Sequence, residues 1–149
     1  MENDNKHHVV AWWTSGQTGI AKSDSAPNAI HFTAPVQFGG IDGRWTPEDL
    51  LMAALASCFT TTFYAIAASS KFEYTDLEVE AGGTVSKTSN GYNFNEIVVR
   101  VNLVIPSEDR RERAISLLQK TKELCLVSRA LGTAQSFETR IKTGKNSPV

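Results

Sequence analysis

The chain has 149 residues, 41% apolar and 21% charged, with a net charge of −1 at pH 7. That length predicts one domain, 1–149, able to bury a core without disulfide staples, with 1–8 and 143–149 expected to fray. Lysines and arginines form no block, which argues against a nucleic-acid or anionic-membrane partner, and the polar opening "MENDNKHH" does not read as a signal peptide.

Two widely spaced cysteines without a secretory signal predict a cytoplasmic chain with reduced thiols. Their spacing fits no zinc motif. His7, His8 and His31 read as a solvated terminus and one strand histidine, so no metal or bound cofactor is expected.

Val9–Trp13 and Ala29–Val36 are β-prone runs. Between them "TSGQTGIAKSDSAPN" predicts turns around a short strand. "FGGIDGR" is a glycine-rich loop that leads into "TPEDLLMAALASCFTTTFYAIAASS". There Thr46 suits the N-cap, Pro47 the first helical position, and Asp49 completes a capping box. Leu51, Leu55, Cys58 and Thr62 share one helical face, with Ala54, Ala65 and Ile66 close to it. Ala53, Ala54, Ala56 and Ser57 are small enough for a second helix to approach. A helix this apolar is expected to be covered on most sides, as a core element and not a membrane span.

Alternation follows in "LEVEAGGTVS" and "YNFNEIVVRVNLVIP", joined by the hairpin signal Asn90-Gly91 and closed by Pro106. Ser107 is placed to cap a second helix, with Glu108 and Asp109 in its first turn. Its inward stripe is Ala114, Leu117, Leu118, Thr121, Leu124, Cys125 and Ser128, with Gly132 as the C′ residue. "AQSFETRIK" is the last predicted strand. The order of elements predicts an α+β fold, with two central helices against one face of antiparallel sheets.

Both cysteines fall on inward helical faces, so packing of the two helices would bring Cys58 and Cys125 together. Two readings of Cys58 compete. Free cysteine is commonly a small core residue. A reactive one needs a lowered thiol pKa, supplied by a helix N-terminus or a nearby cation. Cys58 sits about twelve residues into its helix, beyond the reach of the positive end of the dipole. Activation must then come from another segment. Glu48 lies ten residues upstream, ~15 Å along a straight helix, too far to touch Cys58 of the same copy. Two copies packed antiparallel about a two-fold axis would bring each Glu48 beside the partner's Cys58.

The segment "FGGIDGRWTPEDLLMAALASCF" resembles the signature region of the OsmC/Ohr family, the osmotically inducible and organic-hydroperoxide-resistance proteins, whose pattern is (T/N)PE-x-L-x-x-A-x-x-(S/A)-(A/S)-C-F. "CLVSRAL" from Cys125 resembles the family's "CPVS" helix, with Leu126 where proline is usual. The resemblance implies an OsmC-like intertwined homodimer with active sites built from both subunits. It implies a peroxidatic role for Cys58, a resolving role for Cys125, and for Glu48 the orientation of a catalytic arginine. That arginine lies in a "TGGRDG" segment in the hydroperoxide-resistance branch; here the corresponding stretch is "TSGQTG", with Gln17 at its place. Glutamine brings no charge, the larger lever on a thiol pKa. Arg44 is the best substitute cation and Lys22 a weaker one, while an exposed loop arginine is the plain alternative for Arg44.

The implied activity is a two-cysteine, thiol-dependent peroxidase acting on organic hydroperoxides in a stress response. An external dihydrolipoyl-type dithiol or lipoylated protein would serve as its reductant. Phe59, Phe63 and Trp45 would favour an apolar peroxide, or else are ordinary core packing. The competing readings are a non-catalytic stress or small-ligand-binding dimer of the same fold, and a purely structural dimer.

Overall fold

A computed structural model of the protein describes residues 4–144, so the outermost residues of both expected frayed ends lie outside the described residues. The chain divides into two compact units, Met1–Leu51 and Met52–Val149.

In the first unit, β1 (Val9–Trp13), β2 (Thr18–Ser23) and β3 (Ala26–Thr33) form an antiparallel sheet in that order. The short intervening strand is therefore β2. β3 starts earlier than the run Ala29–Val36 implied and stops at Thr33. It pairs only with β2, and an edge strand tolerates Pro27, which has no N–H to donate. Pro35 then turns the chain into a 3₁₀ turn at Val36–Phe38. Thr33 is buried; its hydroxyl donates to the Gln17 carbonyl at 2.7 Å and accepts from the Ile41 amide at 3.1 Å. The Thr33 amide donates to the Trp45 carbonyl at 2.9 Å. These bonds tether the glycine-rich loop to the sheet. At Gly40 a Cβ would lie 1.6 Å from the Ala34 carbonyl oxygen, so only glycine fits there.

α1 (Pro47–Ser69) has the predicted capping box: the Asp49 amide donates to Thr46 Oγ1 at 3.1 Å, and the Thr46 amide to Asp49 Oδ2 at 3.0 Å. It ends where Lys71 turns left-handed, φ 52°. Leu55, Phe59, Phe63, Ile66 and Ala67 are buried, at the three- and four-residue spacing of one helical face. Most of the other residues between Leu50 and Ala67 are half-buried, with Ser57, Thr61, Tyr64 and Ala65 exposed.

In the second unit, β4 (Asp76–Thr88) and β5 (Gly91–Ile105) form a long antiparallel hairpin. Its turn lies one residue earlier than Asn90-Gly91 suggested. Thr88 pairs with Gly91, Ser89–Asn90 form the loop, and Gly91 takes the positive φ of 102°. β6 (Gln135–Thr143) runs parallel to β5, which departs from the all-antiparallel expectation. The cause is the helical crossover between them, which carries the chain back to the start of β5. Along β5, Ile97, Val99, Val101, Leu103 and Ile105 alternate inward with at most 1% exposure. Full burial of each such side chain stabilises by about 1.5–3 kcal/mol before entropy. They join Phe59, Phe63, Leu118 and Cys125 in one core.

The crossover is α2 (Arg111–Leu124) and α3 (Leu126–Ala130). Ser107 is extended as expected of a cap, but its hydroxyl donates to the Asp109 carboxylate and accepts from no helix amide, and a 3₁₀ turn at Glu108–Arg110 comes first. Ala114, Leu117, Leu118 and Thr121 form the buried stripe. The helix expected to reach Gly132 breaks at Cys125, whose ψ is 111°. Leu124 is consequently exposed, and Gly132 has no positive φ.

Candidate active site around Cys58 and Cys125

α1 presents Cys58 half-buried from its third turn, and the α2–α3 break presents Cys125 fully buried. Both are free thiols, and each acts on the other's protonation. The break in the second helix is what creates the site. It leaves the first amides of α3 unused by α2, and the Val127 amide donates to Cys58 Sγ at 3.5 Å. Thr62 Oγ1, one turn further along α1, stands 3.9 Å from the same sulfur.

These contacts set the two thiols apart. Burial pushes the Cys58 thiol up, but the Val127 amide, the Cys125 thiol, the Thr62 hydroxyl and the Leu126 amide together hold it below the ordinary thiol range. Burial pushes the Cys125 thiol up; the Ser128 amide opposes this, and Cys58 adds to it, leaving Cys125 above the ordinary range. Of the two thiols, Cys58 is therefore the easier to deprotonate. Another segment does reach Cys58, and the donors it brings are neutral backbone amides. Sequence reasoning passed over the Leu126 and Val127 amides. The signal was available in Leu126 itself, because a proline there would have no N–H to offer.

Glu48 and Arg44 belong to the first unit, whereas Cys58 and Cys125 belong to the second. Glu48 is half-buried in the first turn of α1, and its Oε2 is shut off from water with no hydrogen-bond partner among the described residues. Arg44 is exposed in the loop before α1. Gln17 is exposed and Lys22 lies 6.0 Å from the Trp12 ring. His8 Nδ1 is 3.1 Å from Asp24 Oδ2, both exposed. Among the described residues no three His, Cys, Asp or Glu side chains gather as a metal site. Phe59 and Phe63 are wholly buried, against Phe137 at 6.0 Å and Tyr74 at 5.2 Å, so they pack the core. Trp45 is half-exposed in the first unit and bridges to Phe32.

The family model described as OsmC-like protein matches residues 39–140, a span that includes both cysteines. The chain belongs to this family. Two relatives set this OsmC-like chain in context. YmaD of Bacillus subtilis, an uncharacterized protein, is 25% identical over 146 residues, 95% of this chain and 97% of its own. The peroxiredoxin OsmC of Escherichia coli is 25% identical over 128 residues, 86% of this chain and 88% of its own. In fold, the OsmC-like chain is similar to an organic hydroperoxide resistance protein from Elizabethkingia anophelis, with a TM-score of 0.75 at 23% identity, covering 97% of this chain and all of that one.

Proposed function

We propose that this OsmC-family chain is a two-cysteine peroxidase that reduces organic hydroperoxides in the cytoplasm. The observation that carries this reading is a half-buried Cys58, held by the Val127 amide at 3.5 Å with its pKa lowered, whose protonation is linked to a buried Cys125 with its pKa raised. A nucleophilic sulfur must be anionic and reachable, and its resolving partner must wait protonated beside it.

In the first step the Cys58 thiolate attacks one oxygen of the hydroperoxide. An S–O bond forms, the O–O bond breaks, the leaving alkoxide takes a proton to become the alcohol, and Cys58 becomes a sulfenic acid. Cys125 sulfur then attacks Cys58 sulfur; the S–S bond forms and the hydroxyl leaves as water with the Cys125 proton. A dihydrolipoyl-type dithiol, free or on a lipoylated protein, reduces the disulfide by exchange, itself ending as a disulfide, so no bound cofactor is consumed.

The active form in this reading is a homodimer, with the two units acting as one domain. Its support is threefold. The family model crosses the boundary between the units. α1 leaves Ser57, Thr61, Tyr64 and Ala65 exposed along its apolar stretch. Glu48 Oε2 is buried without a partner, a carboxylate oxygen that calls for a cation such as Arg44 from this copy or the next.

Dithiol-dependent consumption of tert-butyl hydroperoxide tests the activity. Wild type should turn over and Cys58→Ser should fall to background. Gln17 in place of the branch's arginine, and Leu126 in place of proline, favour the second reading, a non-catalytic stress or ligand-binding dimer of the same fold. Equal and negligible rates for the two proteins would reject the peroxidase in its favour.

A further inference from the structure

Three successive threonines on α1 are not equivalent. Thr60 turns its hydroxyl back to the Ala56 carbonyl at 2.8 Å, and Thr61 to the Cys58 carbonyl at 3.1 Å, the usual local use of a hydroxyl in a helix. Thr62 instead directs Oγ1 toward Cys58 Sγ, 3.9 Å away, and is half-buried. The four-residue spacing explains the meeting, since helical side chains lean toward the N-terminus and lie over the residue one turn before.

We infer that Thr62 is a positioning residue for the reactive sulfur: its hydroxyl donates to Cys58 alongside the Val127 amide, so that the thiolate is held by a side chain of its own helix and by the backbone of α3. The inference rests on the peroxidase reading for its purpose but not for its measurement. The contact is long for the neutral thiol and tightens with an anionic acceptor, because charge-assisted hydrogen bonds are shorter and stronger. Of the groups that act on this sulfur, Cys125 is the one that titrates; the others are amides and the Thr62 hydroxyl. Losing the hydroxyl therefore raises the Cys58 midpoint without removing a charge.

The experiment compares wild type, Thr62→Val, Thr62→Ala and Thr62→Ser. It follows the pH dependence of iodoacetamide modification of Cys58, read by peptide mass spectrometry, with folding checked by circular dichroism. Val and Ala should move the midpoint up by about half a unit to one unit, slowing alkylation at neutral pH about threefold to tenfold with an unchanged high-pH plateau. Ser should restore the wild-type midpoint. The inference is overturned if the folded Val or Ala variant keeps the wild-type profile, or if Ser shifts as far as Val, which is what a packing role would give. Should Val fail to fold, Ala carries the comparison. The peroxidase reading fails separately, by absence of turnover in wild type, and the alkylation profile is unaffected by that outcome.

Discussion

Along β5, in the unit Met52–Val149, every second residue from Ile97 to Ile105 is buried, and the outward neighbours include Arg100 and Asn102. In Met1–Leu51, β1 reads VVAWW and all five residues are exposed, with Trp12 half-exposed and Trp13 at 60%. Successive strand residues point to opposite faces, so apolar side chains emerge from both faces of the first unit's edge strand. The second unit satisfies its own sequence pattern. The first leaves Val9, Trp12 and Trp13 exposed, surface that the proposed dimer would have to cover. Cys58 and Cys125 lie in the second unit, while Glu48 and Arg44, expected from the sequence to act with them, lie in the first.

The sharpest way to break this division is at the resolving thiol. Cys125→Ser should abolish the internal disulfide and sustained turnover, and leave Cys58 gaining oxygen atoms with successive equivalents of peroxide. Continued dithiol-supported turnover at the wild-type rate would show that the second unit does not hold a two-cysteine site. Next in size is stability. Leu103→Ala removes a side chain 1% exposed and should lower the unfolding free energy by about 2–5 kcal/mol in urea titration. Trp13→Ala in the first unit should barely alter that transition at concentrations where copies are apart, yet shift sedimentation toward monomer. An unchanged sedimentation profile would remove the association surface from β1. The smallest effect is in protonation. Alkylation of each cysteine rises with pH as its thiolate forms, so Cys58 should reach half its plateau below the ordinary thiol value and Cys125 above it. A single shared midpoint would erase the asymmetry between the sulfurs.

Much of this was legible in the chain. Thr46, Pro47 and Asp49 mark the start of α1, and the alternation of β5 marks its inward face, because caps and period-two patterns are local signals. The OsmC/Ohr motif around Cys58 pointed to the family that the chain belongs to. What escaped were consequences of tertiary placement. The parallel pairing of β6 depends on which edge of β5 the crossover returns to, which no local pattern in "AQSFETRIK" encodes. The break at Cys125 looks helical in sequence, since Leu124, Cys125 and Ser128 continue the stripe of α2. Only the fold shows that the break frees the Val127 amide for Cys58. Thr62 stood on the correct face in the sequence, but its difference from Thr60 and Thr61 lies in side-chain direction.

The central claim is that Cys58 and Cys125 form one redox pair. Intact-protein and peptide mass spectrometry after a single equivalent of cumene hydroperoxide tests it most directly. The account predicts a loss of two hydrogens and one cross-linked peptide joining Cys58 to Cys125, reversed by a dithiol. Two unmodified thiols, or stable oxidation of Cys58 with Cys125 left free, would contradict it.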